Sequence, residues 1–274
     1  MPDTAPVAAV TEEVPEGVAL VRAPNAGPLT LSGTNTWMVG SPAWVIDPGP
    51  ADAAHVTAVA EEAERRGGVA GIALTHSHID HAAAVPALRE RFDAPLAAAR
   101  RPDVGARAFE EPFVEGLVQD VELRDGDSVG PLAVIATPGH SLDHVAFVAG
   151  RVLFCGDTVL GEGSVFIAPG GGALALYMES LRRLRALDFD ALCPGHGPVV
   201  WDPAAKLDEY IAHRQEREDR LVGALARGLR SHDELLDDVW DDAPAALRPA
   251  AQLTLEAHLE KLAGEGRLPA GLQP

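Results

Sequence analysis

The sequence predicts a mixed α/β fold with helices on the outside of a covered sheet, followed by a small helical appendage. Three observations point there. Short β-rich runs alternate with helical stretches as far as residue 202. The run VAGIALT (69–75) carries apolar residues on both faces, as a strand covered on both sides does. Beyond residue 203 the strand pattern gives way to one long charged helical stretch and then a short helical unit. A chain of 274 residues is long enough for one large domain with such an addition.

Taken in order, GVALVRA (17–23), TNTWMVG (34–40) and AWVID (43–47) read as strands, separated by the turn formers SGT and GSP. Residues 52–66 read as a helix closed by Gly67-Gly68. VAGIALT follows as a strand and residues 82–91 as a second helix. SVGPLAVIATPG, DHVAFVAG and RVLFCGD continue the strand pattern. The expected organisation is an α/β domain over 1–202, a linking helix over 203–230 and a C-terminal unit over 231–274, with Ser231 and Glu234 forming a capping box at its first helix. No internal repeat is evident.

Composition narrows the setting. There is no run of about 18 apolar residues, so no transmembrane helix is expected. The first residues, MPDTAPVAAVTEEVPEG, have acids and prolines where a signal peptide needs a basic start and an apolar run. Cys155 and Cys193 cannot build a disulfide framework, and together these features predict a cytoplasmic protein. The net charge of −19 opposes an extended nucleic-acid footprint. Residues 203–274 hold 14 acids against 9 Lys plus Arg, and QLTLEAHLEKLAGE offers only Lys261 as a cation. That makes it a poor reader of a DNA groove, so neither DNA nor a membrane is an expected partner.

The chemistry concentrates in THSHIDH (75–81). His76 and His78 are two apart in an extended segment, so their rings project to one side, and a turn into a helix brings Asp80 and His81 to that side. Imidazole nitrogens and carboxylate oxygens are zinc ligands, and one ion rarely takes four from so short a segment, so the pattern points to two ions. The competing reading is a polar loop with chance histidines, against which the strand-to-helix context argues. TPGHS, FCGDT and CPGHG then place His140, Asp157 and His196 where strands give way to glycine-bearing turns. Any one of these alone is an ordinary turn. Together with the first segment they supply seven ligands for two ions.

With these residues in place, the sequence resembles the metallo-β-lactamase superfamily, whose H-x-H-x-D-H signature is followed by separated His, Asp and His ligands. The resemblance implies an αββα sandwich with the site along one edge of the paired sheets. It also implies that His76, His78 and His140 hold one zinc, that Asp80, His81 and His196 hold the other, and that Asp157 bridges them. Asp47 in VIDPG matches the family's strand-end aspartate, a partner to the ligand loop; the alternative is a turn aspartate before proline. PLTLSGTNTWMVG, GDTVLGEGSVF, YMESL, CPGHGPVV and IAHRQERED resemble more narrowly the β-lactamase-like-protein-2 group, which includes a mitochondrial single-strand endoribonuclease and bacterial polyketide thioesterases. That group ends in a small winged-helix-like unit, which residues 231–270 fit. Only 38 residues separate Asp157 from His196, too few for the extra domain of the β-CASP nucleases. The tail lacks the basic glutathione-binding pattern of glyoxalase II.

Two zinc ions about 3.5 to 4 Å apart share a water and lower its pKa toward about 7, giving a hydroxide nucleophile. Manganese or iron also suits a site with two carboxylates. Asp80 and Asp157, the carboxylates nearest such a nucleophile, are the candidate catalytic residues. The leading expectation is hydrolysis of a small ester or thioester. The alternatives are a single-strand endoribonuclease, and a non-catalytic binding protein that kept the fold, against which the intact ligand set argues.

Other residues carry two readings each. The stretch around Gly170-Gly171-Gly172 reads as a cover over the site or as a solvated loop. His144 faces the substrate or supports a ligand. Tyr177 bonds a leaving group or packs a helix. Arg214, Arg217 and Arg220, at helical spacing with His213, meet an anionic group of the substrate or form a salt-bridged solvent face with Glu216, Glu218 and Asp219. His55, His232 and His258 read as surface or packing residues, and both cysteines as small buried ones.

Overall fold

A computed structural model of the chain describes residues 12–102, 112–270 and 272. The N-terminal stretch read above for targeting signals lies outside them as far as residue 11. Among the described residues no helix is long and apolar enough to cross a membrane.

Two sheets face each other. The first has six strands in sequence order: β1 (Val18–Arg22), β2 (Asn35–Val39), β3 (Ala43–Ile46), β4 (Val69–Ala73), β5 (Leu96–Ala99) and β6 (Val121–Leu123). Hairpins make β1 to β3 antiparallel, helical crossovers make β3 to β5 parallel, and β6 joins β5 in parallel as well. The second sheet runs β11 (Ala191–Pro194), β10 (Val152–Gly156), β9 (Val145–Ala149), β8 (Leu132–Ala136) and β7 (Ser128–Val129). Inward residues of both sheets, including Trp37, Ile46, Ala73, Phe147, Phe154 and Cys193, form the central core.

Helices cover both outer faces, which is why VAGIALT is apolar on either side. Helices α1 (Ala53–Arg65), α2 (Ile79–Ala82) and α3 (Val85–Phe92) close the first sheet, with Val59, Ala63 and Leu88 against Val45, Ile72 and Leu96. Helices α4 (Ala173–Arg185) and α5 (Pro203–Ala226) close the second, with Leu174, Leu181, Leu207 and Tyr210 against Leu153, Cys155 and Leu192. The αββα sandwich expected from the sequence is therefore the observed fold. The end of α5 packs with α6 (His232–Val239) and α7 (Arg248–Gly264) around Leu221, Leu235, Val239, Leu255 and Leu259. This C-terminal unit is helical, and the Ser231–Glu234 capping box opens α6.

Three local differences from the sequence reading have physical causes. The helix expected over 82–91 is two, α2 and α3, because Pro86 starts a new helix at its first turn. Strands β5 and β6 escape pattern reading because LAAA lacks the β-branched residues that mark a strand and VEL is only three residues long. The long charged helix stops at Ala226, with Gly228 in the left-handed region just beyond it.

Candidate metal centre and its cleft

The seven predicted ligands meet at one edge of the paired sheets. Chain leaving β4 is extended through His76 and His78, and His78 is the residue before α2, whose single turn swings Asp80 and His81 to the same side. His140 follows β8, Asp157 follows β10 and His196 follows β11. His78 Nδ1 and His140 Nε2 lie 3.0 Å apart, and His76 completes their group. His81 Nε2 and His196 Nε2 lie 3.3 Å apart, with Asp80 Oδ2 3.2 Å from the latter. Asp157 Oδ2 stands between the two groups, 3.2 Å from His196 Nε2, 3.6 Å from His81 Nε2 and 3.7 Å from His140 Nε2.

Four of the imidazoles are oriented by a bond on the side away from this convergence. The Nδ1–H groups of His76, His81, His140 and His196 donate to Thr75 Oγ1, Asp47 Oδ2, the Phe166 carbonyl and the Gly33 carbonyl, leaving each Nε2 facing inward. Asp47 also accepts from the Thr75 amide at 2.7 Å and the Thr75 hydroxyl at 2.6 Å. Both its oxygens are thus committed to supporting the ligand loop, although it also groups with His76 and His81. Asp47 holds a left-handed backbone, φ +50, at the end of β3.

The donor set fits divalent ions. His76 Nε2 and Asp157 Oδ1 are buried without a hydrogen-bond partner, a costly state that a cation relieves. Burial disfavours charge on His196, yet Asp157 and Asp80 raise its pKa to about 9. Burial likewise opposes charge on His81, and the same carboxylates raise it well above the usual histidine range. Burial pushes Asp157 upward, but His196 and His81 hold it well below the ordinary carboxylate range. His76 and His78 are kept neutral, first by burial, as ligand imidazoles must be.

The remaining candidates fall in different places. His144 is buried beside the centre: its Nε2 accepts the Asp157 amide at 3.1 Å, so Nδ1 carries the proton and donates to Thr137 Oγ1 at 2.8 Å. Burial lowers its pKa to about 3. Tyr177 is fully buried in α4, and its hydroxyl donates to the Thr158 carbonyl at 2.8 Å. Arg217 is buried and clamps Asp242 at 2.6 Å, and Arg220 bonds Asp241 at the same distance, so both tie α5 to the segment after α6. Arg214 is buried too, over the Tyr177 ring, donating to the Val165 carbonyl. Among the described residues it has no carboxylate partner, and its Nε has no hydrogen bond. The arginine face is thus an interior one, because α5 lies between the sandwich and the C-terminal unit. Directly before the glycine run the stretch is packed rather than solvated: Val165 and Ile167 are buried in the outer core, and Phe166 contacts His140.

Sequence reasoning overlooked the residues that hold these ligands. Thr34 Oγ1 donates to Asp80 Oδ2 at 3.2 Å. Asn35 Nδ2 and Trp37 Nε1 both donate to the Pro194 carbonyl, anchoring the turn that presents His196. Their signal was the TNTW run, read as a strand and as part of the family resemblance but not as support for the ligands. His55, expected to be ordinary, is buried and bonds Thr36 Oγ1 and the Pro48 carbonyl, bracing the turn after Asp47.

A cleft of about 470 Å³ opens over Asp80, His140, Asp157 and His196. Its walls come from Leu29 and Leu31, from Val165 and Phe166, and from Trp240, Leu247 and Thr254 of the C-terminal unit. Arg214 lines it as well.

Comparison with known proteins agrees with this geometry. A family model described as the metallo-beta-lactamase superfamily matches residues 29–196, and one for a beta-lactamase-associated winged helix domain matches residues 231–268. A beta-lactamase-like protein 2 homolog of Caenorhabditis elegans is 31% identical over 270 residues, covering 93% of this chain and 87% of its own. An atrochrysone carboxyl ACP thioesterase of Aspergillus fumigatus is 32% identical over 245 residues, covering 83% and 75%. The crystal structure of a beta-lactamase domain protein from Burkholderia ambifaria superposes with TM-score 0.79 at 24% identity, covering 96% of this chain and 91% of that one. A protein crystallised in a di-iron-bound form superposes with TM-score 0.54 at 30% identity, covering 68% and 96%.

Proposed function

Because the chain belongs to the metallo-beta-lactamase superfamily, we propose that it is a dinuclear metal-dependent hydrolase of a small ester or thioester. The observation that carries this reading is the convergence of seven ligand side chains, two of them with orphaned buried atoms, four of which reach the floor of a largely apolar cleft. His76, His78 and His140 would hold one ion, Asp80, His81 and His196 the other, with Asp157 Oδ2 between them. Zinc is the first expectation for so many imidazoles, and manganese or iron also suits the carboxylates. Bound there, two divalent ions supply Lewis-acid polarisation of a carbonyl and an activated water.

The chain's own residues do the rest. Asp80 and Asp157 line the cleft, so their carboxylates are the acceptors within reach of the proton of an attacking water. Thr34 steadies Asp80, and His144 fixes the backbone of Asp157. Leu29 and Ile79, each about half exposed at 50% and 49%, give the cleft mouth the apolar surface that an acyl chain buries. Arg214 places an uncompensated cation in the wall, suited to a carboxylate or phosphate carried by the substrate. The thioesterase name of the Aspergillus fumigatus relative supports a thioester.

The test is a hydrolysis panel of acyl-thioesters, simple esters, β-lactams and single-stranded RNA, run on protein of measured metal content. Close to two transition-metal ions per chain are expected. Chelation, His78→Ala or Asp157→Ala should lower both metal content and thioester hydrolysis by at least about a hundredfold. Full activity after thorough chelation sinks the reading. RNA cleavage without thioester hydrolysis replaces the substrate class.

A further inference from the structure

The segment 165–172 joins the C-terminal unit to a metal ligand. At one end the Phe166 carbonyl accepts the Nδ1–H of His140 at 3.1 Å, and the neighbouring Val165 carbonyl accepts from Arg214 of α5. At the other end Glu260, on α7, takes two backbone amides: Gly170 N–H donates to Oε2 at 2.7 Å and Gly172 N–H to Oε1 at 3.1 Å. Gly172 precedes α4 in a left-handed conformation, and no side chain of its own caps the helix. Glu260 therefore grips the backbone just before α4 from the C-terminal unit, placing a carboxylate near the positive end of a 13-residue helix.

The chain of contacts runs from α7 through residues 166–172 to the imidazole. His140 Nδ1 has to find a carbonyl in one place for its Nε2 to face His78 Nδ1 and Asp157 Oδ2. Phe166 is that carbonyl, and its height above the site is set where the segment is gripped. We propose that Glu260 is a positioning residue for the metal centre: by pinning Gly170 and Gly172 it holds the Phe166 carbonyl where His140 is oriented as a ligand. The C-terminal unit then does more than wall the cleft, because it fixes one metal ligand. This inference rests on the reading above that His140 binds metal.

The competing account is that burial of Val165 and Ile167 holds the segment and Glu260 contributes only stability. The experiment separates the two in the full-length chain. Zinc affinity is measured by competition with a chromophoric chelator for the wild type, Glu260→Ala, Glu260→Gln and Leu255→Ala. Visible spectra of the cobalt-loaded proteins and melting temperatures of the metal-free ones are recorded alongside. Leu255 lies in the apolar core of the C-terminal unit, so its truncation destabilises that unit without touching the segment. Glu260→Ala should weaken one of two binding steps by about ten- to a hundredfold and change the cobalt spectrum, as loss of an outer support to a ligand does. Glu260→Gln keeps the length and one acceptor oxygen, so it should fall between, and it decides the matter if the alanine variant does not fold. Leu255→Ala should lower the melting temperature and leave both binding steps and the spectrum alone. Wild-type affinity and spectrum in both Glu260 variants, or an equal loss of affinity in Leu255→Ala, overturns the proposal while leaving the metal centre standing. A wild-type chain that binds no transition metal overturns the centre itself.

Discussion

Gly195 illustrates how little room the ligand set leaves. A Cβ there would lie 2.1 Å from Asp157 Oδ1 and 2.7 Å from His81 Cε1, inside the van der Waals limit of two proposed ligands. Gly195→Ala should therefore displace the Asp157 carboxylate. Metal content, measured by elemental analysis after dialysis, should fall about tenfold or more. Overpacking costs about 1–3 kcal/mol, so the metal-free protein should melt only modestly lower. Full loading of the variant with two ions would contradict the proposed role of Asp157 as a ligand to both. The same crowding explains why the residue before His196 is glycine, something the CPGHG turn alone leaves open between turn geometry and site geometry.

Among the helices, the junction of α5 and α7 carries a buried histidine with a pH consequence. His258 is 1% exposed, neither ring nitrogen has a hydrogen-bond partner, and the Trp240 ring lies edge-on at 5.7 Å. Burial lowers its pKa to about 3, and the cations Arg214, Lys261 and Arg217, together with His213, push the same way. The unfolded chain takes up a proton on this residue near pH 6.5, whereas the folded chain does not until about pH 3. Stability accordingly falls as pH drops through that window, by about 1.4 kcal/mol from this group at pH 5.5 relative to pH 7.5. Urea unfolding of the metal-free protein at the two pH values checks it. His258→Leu should remove that share of the pH dependence, and an unchanged slope would mean that the ring is protonated in the fold.

For the whole molecule, charge decides between substrate classes. The chain carries −19, and the cations of the C-terminal helices are largely committed: Arg217 to Asp242, Arg220 to Asp241, Arg227 to Asp238, Arg248 to Asp237, and Lys261 and Arg267 to Glu218. Such a surface gives a polyphosphate chain little to hold, while Arg214, buried without a carboxylate partner among the described residues, suits one anionic group inside the cleft. Thioester hydrolysis at low substrate should change less than about twofold between 50 and 200 mM salt, whereas a substrate held by six or more phosphates loses about a thousandfold over that range. A steep salt dependence with RNA would move the endoribonuclease reading to first place.

The sequence by itself determined the sandwich and the candidate metal centre, because both are written in short-range patterns. Residues at strand ends must project together whatever surrounds them, so THSHIDH and the three glycine-bearing turns announce their ligands locally. Apolar runs of strand length alternating with amphipathic helices likewise leave few ways to build layers. Tertiary structure alone decided what supports the ligands. Thr34 reaches Asp80 from 46 residues away, Phe166 reaches His140 across 26, and Glu260 grips the amides of Gly170 and Gly172 across 88 to 90. No spacing rule marks such pairs, since each depends on how separate layers dock. The arginines of α5 show the same division: their helical spacing is visible in the sequence, but whether that face meets water or the interior was settled by the C-terminal unit packing over it.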